Sequence, residues 1–208
     1  MKSTLSAIIL AGMISTSCSL GFTQQELSLI HEADGIMRVL TIDNPDDATV
    51  LRAQSSELSA EMLSSADYKR LTELMLATVT HPSQNGVGIA APQVGINRRI
   101  VAVQRFDKEE VQPDGSIKNP FEVYPNIRIV SMSDLLAPGP EGCLSVPDRR
   151  EEVMRSQEIV IEYADIAKLE DENFMVRDTV RGFTAVIFQH EIDHLEGVLY
   201  IDRLQTLI

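Results

Sequence analysis

The chain has 208 residues, 44% of them hydrophobic and 24% charged, which fits one globular domain plus an appendage. Its net charge of −13 argues against nucleic-acid binding, because a phosphate backbone is held by clustered Lys and Arg. The two cysteines, Cys18 and Cys143, have separate expected fates, so no disulfide is expected.

At the amino terminus Lys2 precedes an uncharged stretch from Leu5 to Ile14 that is rich in Leu, Ile and Ala. About ten residues are too few to span a bilayer and match the apolar region of a signal peptide. Ser15-Thr16-Ser17-Cys18 then resembles a bacterial lipoprotein box, with Ser15 where a leucine is preferred. On this reading residues 1–18 are a leader, residues 19–36 a linker, and residues 37–208 the functional domain. Cys18 would be lipidated after cleavage, tethering the protein to a membrane surface. The alternative is an uncleaved leader on a cytosolic protein.

Ser65 is placed to cap a helix running toward His81, with Leu71, Leu74, Met75 and Val79 on one face. Next comes the glycine-rich stretch Gly86-Val87-Gly88-Ile89-Ala90-Ala91-Pro92-Gln93-Val94-Gly95. It has no P-loop lysine, and no strand clearly precedes it, which argues against phosphate binding. Glycines also let another backbone approach, which suits pairing with an extended peptide, and Gln93 offers an amide donor. Arg99 to Val103 and Glu158 to Tyr163 read as strands, the second turning Ile159, Ile161 and Tyr163 inward. Lys108 to Pro120 reads as a long hairpin or loop with its turn at Pro113-Asp114-Gly115-Ser116. Strands cluster between two helices without regular βαβ alternation, so an α+β fold with mainly antiparallel sheets is expected.

The last long helix carries His190-Glu191-Ile192-Asp193-His194. Two histidines four apart share a helical face and can meet one metal ion. Glu191, turned about 100° from His190, is a candidate general base beside the metal site. A solvated helix face bearing His and Glu is the alternative. Phe183, Val186 and Ile187 stand on the stripe that His190 and His194 continue, which directs the histidines toward a core and favours the ligand reading.

Hydrolytic metal sites normally use three protein ligands and leave a place for water. An extended HExxHxxGxxH protease motif would supply the third. This chain follows it through Gly197 and then has Tyr200 in the histidine's place. His31 and His81 lie far off, leaving Cys143 in Glu141-Gly142-Cys143-Leu144-Ser145 as the strongest candidate. A buried, apolar cysteine is the alternative. Pro138-Gly139-Pro140 and Pro147 bracket it in turn-rich backbone, where a thiolate would complete a Cys/His/His site.

Three segments in this order, GVGIAAPQVG, EGCLSVP and QHEIDHLEG, resemble the signature motifs of the peptide deformylase family. The similarity runs from about Val39 to the C-terminus. It implies that antiparallel sheets pack around the HExxH helix, and that the protein removes the formyl group from N-formyl-methionyl peptides, releasing formate. Cys143, His190 and His194 would hold one divalent ion, with Glu191 taking a proton from water and passing it to the leaving amine. The side chain of Gln93 and the backbone N–H of Leu144 would stabilise the oxyanion. Matching positions give Val87 and Gly88 backbone bonds to the peptide and Gly142 a carbonyl, with Val87, Glu141, Phe183, Val186 and Ile187 around the methionine side chain.

The resemblance implies ferrous iron, while the ligand types also permit zinc, nickel or cobalt. A thiolate site outside the cytoplasm would be exposed to oxidation, which disfavours ferrous iron there. Asp148 follows SVP where a glycine is common in the family, and Tyr124-Pro125 occupies the place of a frequent Asn-Pro. Two other readings compete. An HExxH peptidase cutting internal bonds would not require Cys143. A catalytically silent peptide-binding module would have lost the activity-bearing groups, all of which this chain retains. The leader adds the expectation of a secondary deformylase at the cell envelope.

Overall fold

The computed structural model describes residues 21–171 and 173–204, and its first element is helix α1 (Gln24–Glu32). Thr23 and Glu26 form a capping box at its start. Glu26 is also gripped by Arg98 at 2.7 and 2.8 Å, and Ile30 enters the core. At the other end Arg70 donates to the carbonyls of Ile30 and Ala33, at 2.8 and 3.1 Å. This corrects the expectation of a linker over residues 19–36. Residues 24–32 are a docked helix, held by a cap, a buried isoleucine and an enclosed ion pair. The leader and Cys18 lie outside the described residues.

Short helices α2 (Pro45–Leu51) and α3 (Ala60–Leu63) lead to α4 (Ala66–Thr80). Ser65 Oγ accepts the Tyr68 N–H at 3.1 Å, and Leu71, Leu74, Met75 and Val79 are buried, as their spacing predicts. None of the described helices is long and apolar enough to cross a membrane.

The strands are β1 (Gly88–Ala90), β2 (Ile100–Gln104), β3 (Glu110–Val111), β4 (Ile117–Lys118), β5 (Phe121–Pro125), β6 (Arg128–Met132), β7 (Leu136–Cys143), β8 (Val146–Ser156), β9 (Glu158–Ala164) and β10 (Met175–Arg181). They pair antiparallel throughout, as two three-stranded sheets ordered β1-β2-β5 and β10-β9-β6 and as hairpins β3-β4 and β7-β8. The β3-β4 hairpin occupies the segment read as a long hairpin or loop, with its turn where expected. Gly115 takes φ 81° at its turn, and Asp114 accepts the Ser116 N–H at 2.9 Å.

Helix α5 (Gly182–Leu195) lies between the two larger sheets. Ala90, Val101 and Val103 come from one sheet, Ile159, Ile161 and Val180 from the other, and Ala185, Phe188, Ile192 and Leu195 from the helix. Together they form one buried cluster. Burying each larger aliphatic or aromatic side chain contributes about 1.5–3 kcal/mol, so this packing fixes the helix that carries HEIDH. Tyr124, at the unusual Tyr-Pro, is buried edge-on against Phe188 with ring centroids 4.9 Å apart. Asp148 has φ 56°, the left-handed conformation that explains a glycine's advantage at that position.

Candidate metal centre and peptide cleft

Helix period places His190 and His194 on one face of α5, with ring centroids 5.2 Å apart. Cys143 reaches them from the end of β7, where the β7-β8 register shifts between Gly142 and Cys143. The thiol is half-buried, and its Sγ lies 3.2 Å from His194 Nε2. Ligand atoms of Cys143, His190 and His194 all lie within 4.8 Å of one another. Two imidazoles and a thiolate at this spacing suit a single divalent ion of borderline softness.

The surroundings orient each ligand. Glu141 accepts from His190 Nδ1 at 2.7 Å, and Arg155 donates to the same carboxylate at 2.7 and 3.0 Å. Arg155 also reaches Asp193 at 2.7 Å, where Arg203 adds contacts of 3.1 and 2.6 Å. Burial opposes the Glu141 charge, but bonds from His190 and Arg155 outweigh it and hold its pKa at about 2. For His190, burial disfavours the charged form, whereas Cys143 and Glu141 hold its pKa well above the usual histidine range. His194 is pushed well below that range by burial and the neighbouring His190.

Glu191 is buried between the metal face and β1. Burial raises its carboxyl to a pKa of about 7, and its Oε2 has no hydrogen-bond partner in the protein. Gly88 permits this approach, since a Cβ there would lie 2.9 Å from both Glu191 Cγ and Cδ. Gln93 is buried nearby. Its Oε1 accepts the Ala90 N–H at 2.8 Å, which turns Nε2 toward Ser145 Oγ at 3.2 Å and Cys143 Sγ at 3.5 Å.

A cleft of about 1100 Å³ opens over these groups. Val87, Gly88 and Gln93 line one side, and Glu141, Gly142, Cys143 and Leu144 another. Phe183, Val186 and Ile187 form a wall with His190 and Glu191. This revises the expected core stripe: Ile187 is buried, Val186 half-buried and Phe183 56% exposed, because in the first turn of α5 Thr184 and Ala185 are the residues turned to the core while Phe183 faces the cleft. Glu141 borders the cleft as expected, yet its carboxylate is taken up by Arg155 and His190 and does not face the space freely.

Where β1 borders the cleft, Gln104 N–H donates to the Val87 carbonyl at 2.9 Å. Antiparallel alternation then turns the N–H and C=O of Gly88 toward the open edge of β1. Tyr200, standing where an extended protease motif has its third histidine, stacks on His190 at 5.9 Å and donates to the Arg149 carbonyl at 2.9 Å. Its ring backs His190, and its hydroxyl is engaged by the Arg149 backbone.

The sequence model of the family described as "Polypeptide deformylase" matches residues 36–207. The chain belongs to the peptide deformylase family. As such it is a hydrolase that deformylates N-formyl-methionyl peptides, and its metal dependence agrees with the Cys/His/His cluster. The peptide deformylase of Leptospira biflexa is 37% identical over 172 residues, covering 82% of this chain and 89% of the relative. That of Roseiflexus castenholzii is 35% identical over 180 residues, covering 83% and 91%. Among solved structures, the Met-Ala-Ser-bound class I type b peptide deformylase from Acinetobacter baumannii aligns with a TM-score of 0.67 at 33% identity, over 81% of this chain and 98% of that one. The Thermotoga maritima peptide deformylase aligns at 0.67 and 30%, over 83% and 100%.

The sequence reading of this deformylase site missed Arg155, Asp193 and Arg203 as supports, and Ser145 as a partner of Gln93. Ser145 sits inside EGCLS and was within reach. Arg155 bore no local mark, since its partners are brought to it by strand pairing and by α5.

Proposed function

We propose that the reaction uses one divalent ion held by Cys143, His190 and His194, and that the enzyme works at the bacterial cell envelope. The observation that supports the site is the convergence of these three donors beside the buried, unpartnered carboxyl of Glu191. When bound, the ion supplies positive charge that acidifies water and polarises the formyl carbonyl. Ferrous iron follows from the resemblance, and the donor set also accommodates zinc, nickel or cobalt.

Glu191 takes a proton from the attacking water and delivers it to the amine nitrogen as the formyl C–N bond breaks, so formate and a free amino terminus leave. Gln93 Nε2, aimed by the bond from Ala90 to its Oε1, and the Leu144 N–H donate to the oxygen on which charge develops. The peptide adds as a strand along the open edge of β1, using the N–H and C=O of Gly88 and the carbonyl of Gly142, while Val87, expected to share these backbone bonds, has its carbonyl taken by Gln104 and offers its side chain. Its methionine side chain enters the wall of Val87, Glu141, Phe183, Val186 and Ile187.

The envelope location rests on Lys2, the Leu5–Ile14 stretch and Cys18, with lipidated Cys18 as the tether. Substrates there are released or exported formylated peptides. Formate release from a formyl-methionyl peptide by metal-loaded protein, compared with Glu191→Ala and Cys143→Ala, tests the site. Variants that keep full turnover reject the residue roles, and cleavage of internal bonds instead promotes the peptidase reading. Fractionation with a Cys18→Ala control tests the location; a full-length, wholly cytosolic product overturns it.

A further inference from the structure

Gln93 and Ser145 come from different loops of the site, yet both are pinned to one short stretch near the amino terminus. The Leu40 N–H donates to the Gln93 carbonyl at 2.8 Å, and the Ile42 N–H to the Ser145 carbonyl at 3.0 Å. Between them the Thr41 N–H donates to Asp47 Oδ2 at 3.1 Å instead. That alternation is the pattern of an extended chain, in which every second N–H lies on the same edge, about 6.6 Å apart. The circuit closes inside the site, where Gln93 Nε2 donates to Ser145 Oγ at 3.2 Å. Gln93 and Ser145 are both buried, and Leu144 immediately precedes Ser145. Residues 40–42 therefore bridge the backbone of the two loops that carry the Gln93 amide and the Leu144 N–H.

Asp47, in the first turn of α2, holds the stretch in place. The Asn44 side chain caps that turn, accepting the Asp46 and Asp47 N–H groups at 2.9 and 3.3 Å. Asp47 is buried, and besides Thr41 its carboxylate receives both terminal nitrogens of Arg38 at 2.7 Å, a two-point grip that fixes direction as well as distance. Upstream the Met37 N–H donates to Thr78 Oγ of α4 at 2.9 Å, and downstream Ile42 packs against the cluster of Val146, Leu199 and Tyr200. Neither Arg38, Thr41 nor Asp47 lines the cleft, and all three stand outside the motif segments. Resting on the oxyanion roles of Gln93 and Leu144, we propose that Asp47 is a positioning residue for deformylation. By locking residues 38–42 as a strap, it sets the separation of the Gln93 amide and the Leu144 N–H, so that both reach the same oxygen.

The test measures kcat and KM for formyl-Met-Ala-Ser, metal content and amide hydrogen exchange in the metal-loaded enzyme and in Asp47→Ala, Asp47→Asn and Arg38→Ala. Asp47→Ala should lower kcat by roughly 10- to 100-fold, the size expected when a catalytic donor shifts by up to about 1 Å, with KM and metal content unmoved. Asp47→Asn still accepts the Thr41 N–H through its amide oxygen and should restore most of the loss. Arg38→Ala keeps the carboxylate and should give an intermediate kcat. The Leu40 and Ile42 amides should exchange faster in step with the loss of kcat. In a Gln93→Ala background Asp47→Ala should add far less, because it acts through that amide. If Asp47→Ala does not fold, Arg38→Ala, altered at a side chain that is 68% exposed, carries the comparison in both backgrounds. Unchanged kcat, an equal loss in the Gln93→Ala background, or loss of metal along with kcat overturns the strap while turnover by the parent enzyme leaves deformylation intact. Full turnover by Gln93→Ala overturns the oxyanion role on which the strap rests, and absence of formate from the parent enzyme overturns the deformylase reading itself.

Discussion

Glu141 accepts from His190 Nδ1 at 2.7 Å while Arg155 holds the same carboxylate through two nitrogens. A carboxylate behind an imidazole fixes the ring's tautomer and direction, so Nε2 is presented to the cluster of Cys143 and His194. Glu141→Ala is expected to weaken metal binding by about 10–100-fold, read by competition with a chromophoric chelator. Unchanged metal affinity would rule out this positioning role.

Gly88 and Glu191 are packed too closely for any side chain at position 88. Gly88→Ala should push the Glu191 carboxyl out of place and lower kcat by roughly 100-fold, the size expected for a displacement of about 1 Å in a catalytic group. Metal stoichiometry should be retained, because the ligands lie on other side chains. Steady-state kinetics with metal analysis separate the two effects, and full kcat would refute the constraint.

Gly197 ends α5 with φ 70°, and a Cβ there would lie 2.7 Å from the carbonyl carbon of Arg52 and closer still to its oxygen. Gly197→Ala meets backbone that cannot rotate away, adding steric conflict to left-handed strain. A loss of at least about 2 kcal/mol is expected, lowering Tm by roughly 4–8 °C. Calorimetric unfolding at constant metal loading checks it.

Glu26 and Arg98 tie α1 to the start of the first sheet. Burial alone would raise the Glu26 pKa, but bonds from Arg98 and Thr23 dominate and depress it below the ordinary 4.5. A carboxylate lowered on folding stabilises the protein above its unfolded pKa, and that contribution disappears as pH falls through the folded value. Glu26→Gln should cost about 2 kcal/mol at neutral pH, and the two proteins should converge in acid. Urea unfolding between pH 7 and 3 reads the difference, and parallel curves would exclude the linkage.

Much of the catalytic half was legible because its signals are local. The period of an α-helix alone puts His190 and His194 on one face, and Ser65 announces α4 through a hydroxyl that needs only the next turn. Cys143 was legible by chemistry, being the thiol set in turn-forming backbone. The Glu26–Arg98 pair was not, since 72 residues separate its members and nothing near Glu26 signals an arginine partner. For the same reason residues 24–32 read as linker while they are a docked helix. Helical spacing set Phe183 on the inward stripe while the family resemblance set it at the cleft, because spacing gives a direction around the helix axis and says nothing of whether core or open space lies there.

By itself, then, the sequence determined the donor types, the helix that aligns two of them, the caps and the ordered motifs of a deformylase, all governed by bonds along neighbouring backbone. Tertiary structure decided that Glu141 spends its carboxylate on His190 and Arg155, that Gly88 admits Glu191, and that Phe106 meets Phe183 at the cleft mouth. Those contacts join residues far apart in the chain, and their partners exist only once strand register and the seat of α5 between two sheets bring the backbones together.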